Sequence, residues 1–277
     1  MNSVSPKTTP SLNHQAVSEP PRPAASVILL RDHGAGIEAF LLERPQAASV
    51  MAGVWVFPGG KVDLEDHKAR PDEDEALTKQ KAEHLHARLA HKTVDPLRTA
   101  AFMRAAQRET EEECAVRVPI NVIEGWSRWI TPRVPSMSTK RFDTFFFLAA
   151  LPEGEVARHD GEESVQGLWA TPIEALERYW KREIMLAPPQ IMTLVELSQF
   201  SRVDDALEHA RARLLPHIQP EPLEAQDGGR IVAYPGDEAH SISQALIAGP
   251  SRLVWRHGRF EPPGGQFEDF FMGLGFG

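Results

Sequence analysis

Three observations predict a mixed α/β fold, with a β-sheet sandwiched between helices. Short apolar runs at 26–30, 37–43 and 54–57, each bounded by turn residues, read as strands. A helix of about twenty residues then opens at Asp95-Pro96, with Asp as N-cap and Pro in the first turn. Further strand-like runs follow at 125–130 and 142–148. Strands on both sides of a long helix in sequence imply a layered sheet-and-helix architecture.

The first 22 residues are rich in Pro, Ser and Thr and have no apolar core segment. They read as a disordered tail rather than a signal or transit peptide. The continuous apolar run at 26–30 is a buried strand. The cluster Asp32-His33-Gly34-Ala35-Gly36 is a turn, and 37–43 returns as the second arm of a hairpin. The strand at 54–57 is halted by Pro58-Gly59-Gly60. From 63 to 94 the chain is polar. Leu77, Ala82, Leu85 and Leu89 form a thin helical stripe there, so the segment reads as a protruding insertion with one surface helix and little part in the core. His84, His86 and His91 fall in it. A pair at i, i+2 points to different helix faces, so these read as surface histidines rather than a metal cluster.

In the helix from Asp95 to about Cys114, the stripe Met103, Ala106, Thr110 and Cys114 recurs at spacings of 3, 4 and 4. It lies about 110° around the helix from its glutamates, so one side packs on a sheet while the acids are presented elsewhere. Phe145-Phe146-Phe147-Leu148 reads as sheet core. Trp169 precedes Thr171-Pro172-Ile173-Glu174, a capping box that opens another helix. Amphipathic helices are expected at 189–200 and 203–215, and a closing strand pair at 229–234 and 252–256. The tail from 262 has no readable periodicity. The expected organisation is a disordered tail (1–22), one domain (23–261) with an insertion (63–94) and a helical elaboration (184–217), and a terminal tail (262–277).

A chain of 277 residues, 42% hydrophobic and 25% charged, has the composition of a soluble globular enzyme. Its net charge of −9 argues against a nucleic-acid backbone as partner. It leaves room for a small phosphorylated substrate, because a bound cation inverts the local field. Cys114 is the single cysteine, which excludes an intrachain disulfide and a cysteine-based zinc site. No apolar run is long enough to span a membrane, and the chain reads as cytoplasmic. Its oligomeric state is not encoded in any readable pattern.

The chemistry is concentrated in Arg108-Glu109-Thr110-Glu111-Glu112-Glu113. Glu109, Glu112 and Glu113 stand at i, i+3 and i+4, within reach of a common point. Crowded carboxylates repel unless solvated, paired with Lys or Arg, or neutralised by a hard divalent cation. A solvated acidic helix face is the plain alternative. Arg108 at the head of the run and the upstream Trp55-Val56-Phe57-Pro58-Gly59-Gly60 favour the cation.

Together these residues resemble the signature of the Nudix hydrolases. Gly60 matches its opening glycine, and Arg108, Glu109, Glu112, Glu113 and Val116 match its second half. Thr110 replaces an aliphatic residue and Ala115 a glycine. The spacer, residues 61–107, leaves about 34 residues inserted. Asp66 is nearest by position to the family's mid-spacer glutamate. A long insertion here resembles the branch that includes peroxisomal coenzyme A diphosphatases. The stretch from Phe40 through Arg44 and Gly53 to Gly60 is similar to part of a coenzyme A recognition pattern, with Leu42 for the usual threonine and Ser49 for the second arginine.

The resemblance implies a metal-dependent hydrolase that cleaves a diphosphate joining a nucleoside to another moiety, coenzyme A or a dinucleotide among them. A non-catalytic Nudix-fold module that binds a nucleotide for recognition or regulation is the alternative. Glu109, Glu112, Glu113 and the Gly60 backbone would hold Mg²⁺ or Mn²⁺, ions that prefer oxygen donors. Glu112 and Glu163 are the catalytic carboxylates expected, with Glu163 as general base and Arg108 orienting a glutamate. Arg44 and Gly59 are expected on the substrate phosphates, with Arg133 and Arg141 as further candidates.

Overall fold

The structure is a computed structural model that describes residues 12–34, 36–48, 51–89, 95–225 and 229–274. Expectations for residues 1–11, Ala35, Ser49, His91 and the last residues of the 63–94 insertion and of the terminal tail lie outside the described residues.

The long central strand β1 (Arg22–His33) turns into β2 (Gly36–Glu43), and the two pair antiparallel, with Leu30 opposite Ala39 and Asp32 opposite Ile37. This is the expected hairpin. β3 (Val54–Val56) adds to β2. Pro58 interrupts the chain, but Gly59-Gly60 do not end strand structure. They form β4 (Gly59–Lys61), antiparallel to β1, with Gly59 opposite Ser26 and Gly60 opposite Ala25. Three residues, two of them Gly, carry no alternation that would have announced a strand.

Two helices follow. α1 (Glu75–Ala87) is capped by the Asp74 side chain, and α2 (Pro96–Cys114) by Asp95, which accepts from the Arg98 N–H at 2.8 Å. β5 (Glu124–Ile130) and β6 (Phe142–Ala150) form an antiparallel pair, and β6 runs parallel to β1 over its whole central part. β7 (Gln166–Ala170) pairs with β2 and leads into α3 (Pro172–Trp180) through the expected Thr171–Glu174 capping box. β8 (Met185–Leu186), α4 (Pro188–Leu197), α5 (Val203–Ala212) and β9 (His217–Ile218) complete the first sheet, in the order β8-β3-β2-β1-β6-β5-β9.

Alternation along β1 sets the layers. Ile28 and Leu30 join one core with Leu41, Trp126, Phe146 and the buried faces of α3, α4 and α5. Val27 and Leu29 point the other way, to a core with Phe40, Leu42, Phe145, Phe147 and the apolar face of α2. Met103, Ala106, Thr110 and Cys114 are all buried there, as the stripe requires. The C-terminal elaboration is more than helical. β10 (Glu221–Glu224), β11 (Arg230–Ala233), β12 (Arg252–Arg256) and β13 (Arg259–Glu261) make a second antiparallel sheet. β11 and β12 are the expected closing pair. Beyond them the tail is anchored by Phe270, buried against Trp180.

Two expectations need correction. Residues 12–21 are tied down: the Asn13 N–H donates to the Ser136 carbonyl at 3.0 Å, and the Val17 N–H to the Arg133 carbonyl at 2.7 Å. Nor are residues 63–89, the described part of the insertion, an excursion outside the core. Thr78, Ala82, Leu85 and Leu89 are buried, and the last three belong to the same apolar cluster as α2. Gly125 leaves room for Leu85, whose Cδ1 would lie 2.3 Å from any Cβ placed there. In α1 the stripe is thin because alanine and threonine fill it, and a short stripe suffices when the partner helix is close. Leu85→Ala is expected to lower the free energy of unfolding by about 2–4 kcal/mol in denaturant titration. A loss under about 0.5 kcal/mol, the range of surface substitutions, would return α1 to the periphery.

Candidate metal and substrate site

The site begins with the close approach of β4 to β1. Gly59 has φ 153°, and a Cβ there would lie 2.3 Å from the Ala25 carbonyl oxygen and 2.6 Å from Ser26 Cα. Only glycine fits. In that position its N–H donates to Glu113 Oε2 at 2.8 Å. One residue on, a Cβ at Gly60 would lie 2.3 Å from Glu109 Oε1. Two carboxylates of α2 therefore abut the Gly59-Gly60 backbone, and a side chain at either glycine would displace something.

Arg108 ties the acids together. Its Nη1 donates to Glu109 Oε1 and to Glu112 Oε2, each at 2.9 Å. Its Nε and Nη2 grip Asp66 at 3.1 and 3.0 Å, and Nη2 also donates to the Lys61 carbonyl. Burial disfavours its charge, but the hydrogen bonds of Asp66 and the charges of Glu109 and Asp66 outweigh that and raise its pKa. Asp66, whose role the sequence left open, is buried and also accepts from the Asp63 N–H at 2.8 Å. Its signal was position alone: it stands six residues after Gly60.

Electrostatics separates the three glutamates. Burial pushes the Glu113 carboxyl up to about 8; the Gly59 N–H opposes this, while the charges of Glu109 and Glu163 add to it. Burial likewise raises Glu109 to about 7, against the pull of Arg108 and with the push of Glu112 and Glu163. Glu112 is different: its side chain is 58% exposed and rests on Arg108. Glu163 lies exposed on the loop after β6, where its N–H donates to Asp160 Oδ2 at 3.0 Å. It reaches Glu109 and Glu113 by charge, with no direct hydrogen bond to either among the described contacts. Arg44, at the end of β2, lowers Glu113 through its charge. Arg141 donates to the Thr131 carbonyl, and its pKa is lowered by burial and by Arg133.

Among the described residues, no three His, Cys, Asp or Glu side chains are gathered as a ready-made metal centre; Arg108 engages both Glu109 and Glu112. The donor chemistry nevertheless fits a hard cation. Glu109 and Glu113 are buried acids whose charge the protein only partly offsets, and all their donors are oxygen.

Beside them lies a cleft of about 330 Å³. Arg44, Gly59, Gly60 and Lys61 stand on its wall together with Trp129, Phe146 and the first residues of α4, whereas the three glutamates of α2 do not line it. The glycines are thus shared: acids on one side, cleft on the other.

A model of the NUDT19 Nudix domain matches residues 112–197. The chain is 35% identical over 147 residues to a Gallus gallus protein described as acyl-coenzyme A diphosphatase NUDT19, covering 51% of this chain and 37% of that one. It is 35% identical over 121 residues to the Homo sapiens protein of the same description, covering 43% and 32%. The chain thus spans well under two thirds of the length of these curated relatives. A Nudix hydrolase structure from Alicyclobacillus acidocaldarius superposes with a TM-score of 0.55 at 20% identity, over 69% of this chain and 97% of that one. No helix among the described residues is long and apolar enough to cross a membrane.

The two raised carboxyls make a pH prediction for metal-free protein. Each has a folded pKa above its ordinary value near 4.5. Its contribution to stability is therefore fully present below about pH 4.5 and is lost as pH rises through about 7 for Glu109 and about 8 for Glu113. Between pH 6 and 9 the melting temperature of Glu113→Gln should fall less than that of the unsubstituted chain. Parallel curves would contradict the buried-acid account.

Proposed function

We propose that this chain, a Nudix-family protein, is a divalent-metal-dependent hydrolase of a diphosphate joining a nucleoside to another moiety, with coenzyme A-type conjugates as the favoured class. The observation that carries the proposal is the apposition of Glu113 and Glu109 to the Gly59-Gly60 backbone, with Arg108 fixing Glu109 and Glu112 from the side. The described relatives are acyl-coenzyme A diphosphatases, which supports the substrate class.

Glu109 and Glu113, with Glu112 at the exposed edge and the Gly60 backbone, are the residues that would hold Mg²⁺ or Mn²⁺. Such a cation, when bound, neutralises phosphate charge and makes water more acidic. The chain supplies the rest. Arg108 acts as a positioning residue, since its donors are taken up by Glu109, Glu112 and Asp66. Gly59 and Gly60 give up their Cβ space to Ser26 and to Glu109, which brings the acids against the strand that also stands on the cleft wall. Arg44 and Lys61 place positive charge on the cleft wall next to the glycines, where a diphosphate would lie. Glu163, exposed and close enough to act on both buried acids by charge, is suited to accept the proton of the attacking water. In the net reaction water adds to one phosphorus, the anhydride bond breaks, and two phosphate monoesters leave, with the two protons of the water released to solvent or kept on the products.

Hydrolysis of coenzyme A, ADP-ribose, NADH and nucleoside triphosphates with Mg²⁺ or Mn²⁺, with products identified by mass, tests the activity. Glu112→Gln preserves volume and removes charge. It should lower turnover on the order of 10²-fold or more while the melting temperature is retained. Near-normal turnover at saturating metal would remove Glu112 from the site.

A further inference from the structure

The loop joining β5 to β6, residues 131–141, contributes one wall of the cleft. At its base the Thr131 N–H donates to the Phe142 carbonyl at 2.8 Å. On its return, Ser138 Oγ donates to the Lys140 carbonyl and accepts the Lys140 N–H. Between these, the carbonyls of Arg133, Pro135, Ser136 and Ser138 all accept from residues 13–17, in the segment before β1. Asn13 makes most of these bonds. Its main-chain N–H donates to Ser136 at 3.0 Å, and its side-chain Nδ2 to the carbonyls of Pro135 at 3.1 Å and Ser138 at 3.3 Å. Its Oδ1 accepts the Gln15 N–H at 3.1 Å, which turns the amide nitrogen toward the loop. The Asn13 carbonyl is held in turn by Arg230 Nη2, from β11, at 3.3 Å. One residue therefore joins the second sheet to the cleft wall.

Sheet register gives that wall its place. Lys61 of β4 stands opposite Ala24 of β1, Ala24 opposite Thr144 of β6, and Thr144 opposite Trp129 of β5, and all four line the cleft. Cross-strand partners share a face, so Ala24 and Thr144 form a floor between Lys61 and Trp129. Three strand spacings separate the ends of this row, roughly 14 Å. The loop leaves the sheet directly after Ile130 and returns at Phe142. It stands at the Trp129 end of the floor, away from Lys61 and the glycines, and its Pro135, Met137 and Lys140 line the cleft there. We infer that Asn13 is a positioning residue for substrate. By fixing the β5–β6 loop it sets the affinity for the portion of the conjugate beyond the diphosphate, and it leaves the chemistry at the diphosphate unchanged. This rests on the reading of the cleft as the substrate site. The hydrogen bonds of Asn13 reach neither the acids of α2 nor the glycines. Carbonyls freed by its loss turn to water, and the loop spends less time in the position that meets substrate. Apparent affinity falls with the fraction of molecules in the competent state.

Asn13→Asp in the full chain tests this. It keeps the size of the side chain and the acceptor for Gln15, but sets a carboxylate oxygen against the Pro135 and Ser138 carbonyls where an N–H stood. KM for coenzyme A or ADP-ribose with Mg²⁺ should rise roughly fivefold to thirtyfold, the scale of one or two lost hydrogen bonds, while kcat stays within about twofold. Asn13→Ala, which removes the donors without adding a charge, should move KM in the same direction and by no more. A role in stability alone would lower the melting temperature and leave KM where it was. An unmoved KM in both variants, or a fall in kcat at unchanged KM, would overturn the inference. If Asn13→Asp does not fold, Val17→Pro takes its place: it removes the N–H given to the Arg133 carbonyl, and the same split is expected. Calorimetric binding of the same two compounds without divalent metal keeps this inference apart from the enzymatic reading. A Kd raised by the same factor, with no turnover by any of the proteins, supports the role of Asn13 and sinks only the enzymatic reading. Turnover with KM and Kd unmoved sinks only this inference, and neither turnover nor binding by the unsubstituted chain sinks both.

Discussion

The hydrogen bond from the Gly59 backbone to Glu113, 2.8 Å long, is the constraint on which the rest of the site depends. It exists because β4 lies so close to β1 that only glycine fits at 59. That closeness brings Glu109 and Glu113 of α2 against the Gly59-Gly60 backbone and away from water. A buried carboxylate is costly without charge or hydrogen bonds to offset it. The protein offsets the cost in part, with one N–H for Glu113 and one arm of Arg108 for Glu109. The remaining deficit appears as raised proton affinity in both. A site left short of positive charge, beside a cleft with cations on its wall, is suited to receive a cation and a phosphate together.

The segment between the two halves of the signature has a physical part in this. Asp66 fills the second side of the Arg108 guanidinium. Glu73 pairs with Arg104 in a nearly dry environment, with side chains 5% and 8% exposed, and Arg70 reaches Glu111. Three ion pairs thus bind residues 66–73 along one side of α2, while α1 covers its apolar flank. Breaking a buried pair such as Glu73–Arg104 leaves an uncompensated charge, so this segment holds the orientation of the acidic helix as well as covering it.

Much of this was legible in the sequence. The cap, length and buried stripe of α2 followed from Asp95-Pro96 and from apolar spacing, and Thr171 to Glu174 announced α3. The hairpin, β5, β6 and the β11–β12 pair followed from apolar runs between turns. What escaped has physical reasons. β4 is too short and too glycine-rich to show alternation, and Pro222 in β10 and the brevity of β13 hid two strands of the second sheet. The insertion looked solvated because Asp66, Arg70, Glu73 and Arg104 lie far apart in sequence, and pairing across 31 to 42 residues leaves no local pattern.

The central claim is that the acids of α2 at Gly59-Gly60 hold a divalent cation. Electron paramagnetic resonance of Mn²⁺ titrated into the full chain measures this directly, because the free aqueous ion gives the sharp signal and the bound ion does not. The account predicts that the unsubstituted chain suppresses the free signal, and that Glu109→Gln with Glu113→Gln restores it while the protein stays folded. Equal suppression by both proteins would contradict it.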